Sequence, residues 1–235
     1  MYNLQSIDNG NSHPHVGFFK NGQLDFVSPL KEYMFDTEID SIASSVGPSS
    51  NLSNLKYISL KKFREENSFL DMPVHYEMTL GEDRLHQGYY VYKNKRPGLT
   101  LLIDAGTFTT VDFIEEDGMK GGYIFPGIQT FLKSYSHGAE LPSVGNSNSL
   151  IPDLDIPGST KSAIENAMKY SQVAWLEKLL KEHQVNEIYL SGGNSSLFNE
   201  VLETTFKGAI NFEKNLIHYS LYEIYLYLVK NNLKD

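Results

Sequence analysis

Apolar and polar residues alternate over His15–Phe19 and again over Thr109–Ile114. An apolar run ending in aspartate precedes each stretch, and a tight-turn dipeptide follows it. The first copy reads S-I-D-N-G-N-S, with Asp8, Gly10 and Ser12, and reaches Asn21-Gly22. The second reads L-L-I-D-A-G-T-F-T-T, with Asp104, Gly106 and Thr107, and reaches Asp117-Gly118. The two aspartates stand 96 residues apart, and each turn begins 13 residues past its aspartate. Period-2 alternation predicts half-buried strands, and Asn-Gly or Asp-Gly between them predicts a hairpin turn. The chain is therefore expected to hold two copies of strand, Gly turn, strand, hairpin turn, strand. A repeat of this size is no solenoid period; it predicts two similar lobes.

The rest of the pattern fills in around these copies. Residues 1–30 read as a three-stranded meander. The stretch 31–70 is mixed, with a polar linker at Pro48-Ser49-Ser50-Asn51 and a candidate strand at Tyr57–Leu60. A helix is predicted over 84–92, and Lys93–Gly98 is the best lobe boundary, giving lobes 1–96 and 97–235. A second helix is expected over 127–137, then a Ser/Asn/Pro/Gly-rich loop from Leu141 to Gly158. Ser159 or Thr160 is placed to cap a helix running to about His183. Asn186–Leu190 reads as a strand entering Ser191-Gly192-Gly193-Asn194, a third Gly turn, and a last helix is expected near Leu221–Leu233. Alternating strands and helices with Gly turns at strand ends predict α/β lobes that bind ligands at the carboxyl ends of strands.

Composition narrows the function. The 235 residues are 40% hydrophobic and 21% charged, with net charge −9. That balance, without a Lys/Arg block, argues against nucleic-acid binding. Tyr89, Tyr90 and Tyr92 accordingly read as packing residues. With no cysteine there is no disulfide, thiol nucleophile or thiolate metal site. The polar start, Met1–Gly10, predicts no secretory leader, and no apolar run reaches the roughly 20 residues of a membrane helix. A soluble, cytoplasmic protein is expected.

A Gly beyond a strand lets backbone approach a ligand, and neighbouring N–H and hydroxyl groups can donate to phosphate oxygens. An aspartate at the strand end can hold a divalent cation that bridges those phosphates. Two such turns facing each other would form a nucleotide cleft between lobes. Between the repeats lies L-G-E-D-R-L, with Asp83 and Arg84 adjacent. A carboxylate there can accept a proton from an attacking hydroxyl, and a guanidinium can grip a carboxylate or phosphate. The spacing alone favours a salt bridge at the start of a surface helix.

The motif order resembles the type III pantothenate kinases, members of the actin, sugar-kinase and heat-shock chaperone superfamily. Asp8-Asn9-Gly10-Asn11-Ser12 is similar to the family's D-x-G-N-[T/S], and Gly81-Glu82-Asp83-Arg84 to G-x-D-R. Asp104–Thr110 resembles D-A-G-T-A-x-T, and Gly121–Gly127 resembles G-G-x-I-x-P-G. Ala139–Pro142 resembles A-x-L-P. Ser159-Thr160 with Ala163-Ile164 resembles N-T-x-x-A-I, and Gly192-Gly193-Asn194 the late T-G-G-D turn. The match runs from about residue 7 to residue 221.

The resemblance implies two ribonuclease H-like, actin-like ATPase lobes and ATP-dependent phosphorylation of pantothenate to 4′-phosphopantothenate, the first step toward coenzyme A. It implies Asp83 as general base, and a pantothenate site of Gly81, Glu82, Asp83, Arg84, Thr160 and Tyr76. The triphosphate would lie on Asp8, Asn9, Gly10, Asn11, Ser12, His13, Pro14 and His15, with Thr107 also on ATP. Magnesium is assigned to Asp8, a monovalent cation (potassium or ammonium) to Asp104, and a homodimer is expected. Departures stand at Gly138, where a hydroxyl residue is usual, at Ala167 and Ser220, where glycine is usual, and in the short segment before Gly81. The rival readings are a regulatory protein like the Bvg accessory factor, or a superfamily kinase for another small hydroxylated substrate. His13-Pro14-His15 lacks the partners of a metal clip, and Glu115-Glu116-Asp117 reads as a solvated hairpin tip.

Overall fold

In the computed structural model, which describes residues 3–33, 36–53, 55–145 and 147–234, the chain divides into two compact units. The first comprises Met1–Lys95, Ile114–Gly121 and Asn215–Asp235; the second comprises Arg96–Phe113 and Gly122–Lys214.

In the first unit, β1 (Leu4–Asn9), β2 (His15–Lys20) and β3 (Gln23–Pro29) form the expected meander. Asn21 and Gly22, at φ 51° and 82°, make the turn between β2 and β3. Both take the left-handed region that a two-residue hairpin loop requires. Two more strands, β4 (Ser41–Ser45) and β5 (Ile58–Ser59), join in parallel, giving the order β3-β2-β1-β4-β5. Ile7, Val16, Phe18, Ala43 and Leu52 form the core on one face. Helices α1 (Glu82–Asn94) and α5 (Leu216–Lys230) pack together, and both also pack on β4. Phe19 stacks on Tyr222 of α5, ring centroids 4.4 Å apart. Short strands β6 (Arg64–Glu65), β7 (Ser68–Phe69) and β8 (Met72–Pro73) form a small separate sheet.

The second sheet repeats the plan. Strands β9 (Leu99–Ala105), β10 (Phe108–Glu115) and β11 (Gly118–Pro126) are followed by β12 (Val185–Ser191) and β13 (Ala209–Phe212), in the order β11-β10-β9-β12-β13. Helices α2 (Ile128–Ser134), α3 (Thr160–Glu182) and α4 (Ser195–Thr205) complete the second unit. Ser159 caps α3: its hydroxyl accepts from the Ser162 N–H, and the Ser162 side chain bonds back. The buried core includes Leu101, Ile103, Leu176, Ile188, Phe198 and Leu202. This is the expected α/β architecture of two sheets built to one plan.

Two details differ from the sequence expectation, and one extends it. The last helix begins at Leu216 rather than Leu221, because its opening residues include His218 and Ser220, polar side chains buried with hydrogen-bond partners, which break the apolar stripe. It stops at Lys230, and Asn232 just beyond takes φ 55°, a left-handed conformation that ends helices. The hairpin tip is solvated, as expected, beside a buried flank. Glu115, Glu116 and Asp117 are exposed enough to pair with Lys120 and Lys95, but Gly118 and Met119 are buried against residues 73–75 and Gly88. Finally, β4 lies within 31–70, where the mixed pattern predicts no strand before Tyr57.

Candidate functional site

Asp8 sits near the end of β1, directly across from His15 on β2. His15 Nε2 lies 3.4 Å from Asp8 Oδ2. A Cβ on Gly10 would stand 3.7 and 3.8 Å from the two carboxylate oxygens, so Gly10 folds over the carboxylate with ordinary clearance. Asn11, Ser12 and His13 are exposed, whereas Pro14 and His15 are partly covered.

The turn is held from beneath by a segment that sequence reasoning missed. Val46 and Gly47 both donate backbone N–H groups to the Asn9 carbonyl oxygen, at 3.1 and 2.7 Å. The buried Asn9 amide donates to Ser45 Oγ and the Pro48 carbonyl, and its own oxygen accepts from Asn51 Nδ2 at 2.8 Å. On its other side the same segment grips the start of α1. Ser45 N donates to Glu82 Oε2 at 3.0 Å, and Val46 Cγ1 would be 3.6 Å from a Cβ on Gly81. Residues 45–47 thus tie the Asp8 turn to the G-E-D-R segment within one unit. The dipeptide Gly47-Pro48 at the end of a Ser/Ile/Ala/Val run was the available signal.

Asp83 stands in the first turn of α1 and accepts the Arg84 backbone N–H at 2.8 Å. Burial raises its pKa above the ordinary carboxylate value, against the Arg84 backbone hydrogen bond and charge. A raised carboxylate pKa makes a stronger base. Arg84 is buried, with its guanidinium carbon 5.3 Å from the Tyr76 ring centroid, within cation–π range. The ring of Tyr76 lies where a Gly121 side chain would be, and Gly121 takes φ 86°, so the first glycine of G-G-x-I-x-P-G is what admits it. Tyr76, Gly81, Asp83 and Arg84 are therefore neighbours. Glu82 belongs to the same segment, but its carboxylate bonds Ser45 and lies 3.5 Å from Lys61.

In the second unit, Asp104 pairs with Ser191 across the parallel β9–β12 ladder. Gly192, at φ 90°, packs against the Asp104 carboxylate and the Ala105 backbone, and Asn194 donates to the Ala105 carbonyl at 2.9 Å. The exposed Thr107 receives two bonds at its carbonyl, from Gly127 N at 3.2 Å and from Thr130 Oγ1 at 2.5 Å. A Cβ on Gly127 would strike that same carbonyl at 2.6 Å. Three Gly turns of the second unit therefore meet at the ends of β9 and β12. Thr160 is exposed at the first turn of α3.

Among the described residues no group of three His, Asp or Glu could hold a metal by itself. The donor set suits ions held by one carboxylate and completed by phosphate oxygens or backbone carbonyls, the usual manner of magnesium beside nucleotides.

The family model for type III pantothenate kinase matches residues 25–182. The chain belongs to the type III pantothenate kinase family. A type III pantothenate kinase of Campylobacter hominis is 27% identical over 220 residues, covering 92% of this chain and 95% of that protein. Among solved structures, a Baf family transcriptional activator of Campylobacter jejuni superposes with TM-score 0.65 at 23% identity, covering 97% and 99% of the two chains. A 2-dehydro-3-deoxygalactonokinase of Sinorhizobium meliloti gives 0.55 at 12% identity, covering 96% of each. These two likenesses establish the fold, that of the sugar kinases and actin-like ATPases. The chain is thus a member of a phosphotransferase family, and among its described residues no helix is long and apolar enough to cross a membrane.

Proposed function

We propose that this protein transfers the γ-phosphoryl group of ATP to the primary hydroxyl of pantothenate, giving 4′-phosphopantothenate at the entry to coenzyme A synthesis. The observation that carries this reading is the tie between the Asp8 turn and the Asp83-Arg84 helix start through residues 45–47. It holds a phosphate-sized turn and a raised-pKa carboxylate on one scaffold. Phosphoryl transfer asks the protein for positioning and charge neutralisation more than for covalent chemistry.

In this reading Asp83 takes the proton of the attacking hydroxyl, and Arg84 grips the pantothenate carboxylate while stacked on Tyr76. Gly81 lets the substrate approach, and Thr160 contributes to the pocket. Glu82 shapes the segment through Ser45. Residues 8–15 bind the triphosphate, with Asp8 oriented for magnesium, and Thr107 contacts ATP. Magnesium, when bound, neutralises the phosphate charge. Asp104 holds a potassium or ammonium ion. The working enzyme is a cytoplasmic homodimer.

The test is ATP-dependent phosphorylation of pantothenate by the pure protein with magnesium, in potassium or ammonium against sodium. Product favoured by the larger cation supports the reading as a whole. No product from folded protein in any of these salts turns the assignment toward a regulatory member of the family or another small hydroxylated substrate.

A further inference from the structure

His218, on the first turn of α5, is fully buried, and burial pushes its pKa down to about 3. Its ring lies in a hole over Gly17, where a Cβ would come within 2.7 Å of Nδ1. Gly17 faces Ser6 across the β1–β2 ladder, two residues along from the Asp8–His15 pair. Side chains two apart on a strand share a face, so Ser6, Asp8, His15 and the gap at Gly17 form one patch, with His218 set on it.

Polar contacts run through the patch in series. Ser6 Oγ is 2.8 Å from His218 Nδ1, His218 Nε2 is 2.9 Å from His15 Nδ1, and His15 Nε2 is 3.4 Å from Asp8 Oδ2. Ser6 Oγ also lies 3.2 Å from the Gly17 carbonyl. A hydroxyl has one proton to give, and a neutral imidazole has one N–H and one bare nitrogen. If the Ser6 proton went to Gly17, His218 would donate inward from Nδ1 and accept from His15, leaving a bare His15 nitrogen facing a carboxylate. If it goes to His218 instead, each ring donates outward from Nε2, and the last N–H points at Asp8. The carboxylate at the end of the series selects the second order.

We propose that His218 is a positioning residue for the phosphate turn: it fixes the tautomer of His15, which in turn holds the Asp8 carboxylate beneath Gly10. The proposal rests on the reading of Asp8 as the carboxylate that meets a phosphate-bound magnesium. It connects the C-terminal helix to that turn through Ser6 and His218, neither of which is assigned to ATP or substrate. Partners that orient a metal-binding group typically change metal affinity by about ten- to a hundredfold.

Two measurements test it. Ring-nitrogen correlation spectra of the ligand-free protein at pH 8 are expected to show both His15 and His218 protonated at Nε2; an Nδ1–H form of either ring overturns the proposal. Calorimetric titration with ATP, in magnesium and then in EDTA, is expected to show His218→Phe weakening magnesium–ATP binding about tenfold while metal-free ATP binds as before. Ser6→Ala, which removes the hydroxyl that sets the His218 tautomer and lies outside the residues assigned to ATP, serves if His218→Phe does not fold; it is expected to show the same selective loss. The double variant should lose no more than the weaker single one, because the two residues act in series. Additive losses, or an equal loss for metal-free ATP, refute the series. Wild-type protein that binds magnesium–ATP with the expected tautomers but leaves pantothenate untouched would sink the substrate assignment and leave this inference standing.

Discussion

Gly47 donates its N–H to the Asn9 carbonyl oxygen at 2.7 Å, and a Cβ on Gly47 would come within 2.5 Å of the Gly10 carbonyl. Both contacts are to backbone, which cannot swing aside as a side chain would. Gly47→Ala is therefore expected to displace the Asp8 turn, costing about 1–3 kcal/mol in stability and lowering kcat/KM for ATP about tenfold or more. Thermal melts alongside initial rates check this. A variant with wild-type kinetics would show that the turn does not depend on residue 47.

Asp83→Asn separates chemistry from folding. The amide oxygen can still accept the Arg84 N–H, so the segment should keep its shape, while loss of the base should cut kcat by roughly 10²- to 10⁴-fold. The raised pKa of Asp83 fixes the sign of its stability effect. Its folded form holds the proton more tightly than the unfolded chain does, so its contribution is full below the unfolded pKa and fades as pH rises through the folded one. Above that window wild type keeps a poorly solvated charge that Asn lacks. Asp83→Asn should thus melt at or above the wild-type temperature at neutral pH. A sharply less stable variant would contradict this.

The same shift predicts a pH profile. The rate kcat/KM should fall toward acid through a pKa above the usual carboxylate value, as the base becomes protonated. That limb is read from initial rates under a folded-state control. A limb at the ordinary carboxylate value would remove burial as the cause.

Gly121→Ala places a methyl group into the Tyr76 ring at a backbone conformation with φ 86°. The left-handed conformation alone costs a non-glycine residue about 1–2 kcal/mol. Because Tyr76 underlies Arg84, the KM for pantothenate should rise several-fold while that for ATP changes little. Steady-state kinetics in both substrates distinguish these outcomes; an ATP-only defect would detach Tyr76 from the pantothenate pocket.

Asp104→Asn should erase the difference between potassium and sodium, leaving a low, salt-indifferent rate. Rates measured across both chlorides decide it, and a retained potassium preference would move the cation elsewhere.

The halves of the fold that sequence made legible are those where local chemistry dictates structure. Asn21-Gly22 and Asp117-Gly118 announce their hairpins, and Ser159 announces the start of α3. Strand β4 stayed hidden because Ser41-Ile42-Ala43-Ser44-Ser45 is largely polar yet nearly all buried between β1 and β5. A parallel interior strand need not alternate. The start of α5 stayed hidden because His218 and Ser220 are buried by hydrogen bonding, which a hydrophobic stripe does not register. Asp83 and Arg84 stood out as a charged pair. The strap at Val46-Gly47 is defined by backbone contacts to residues far away in sequence, which no motif encodes.

The first unit draws its last segment from Asn215 onward, 94 residues past Gly121, where the rest of its chain has been laid down. During synthesis β1 and β2 therefore emerge long before the helix that covers Phe19 and fills the gap at Gly17. The nascent first sheet must wait with one apolar face bare while the second unit, whose segments all precede Asn215, is already complete in sequence. The order of maturation then runs opposite to the order of translation: the second unit can settle first, and the turn after Asp8 acquires its backing only once α5 has emerged.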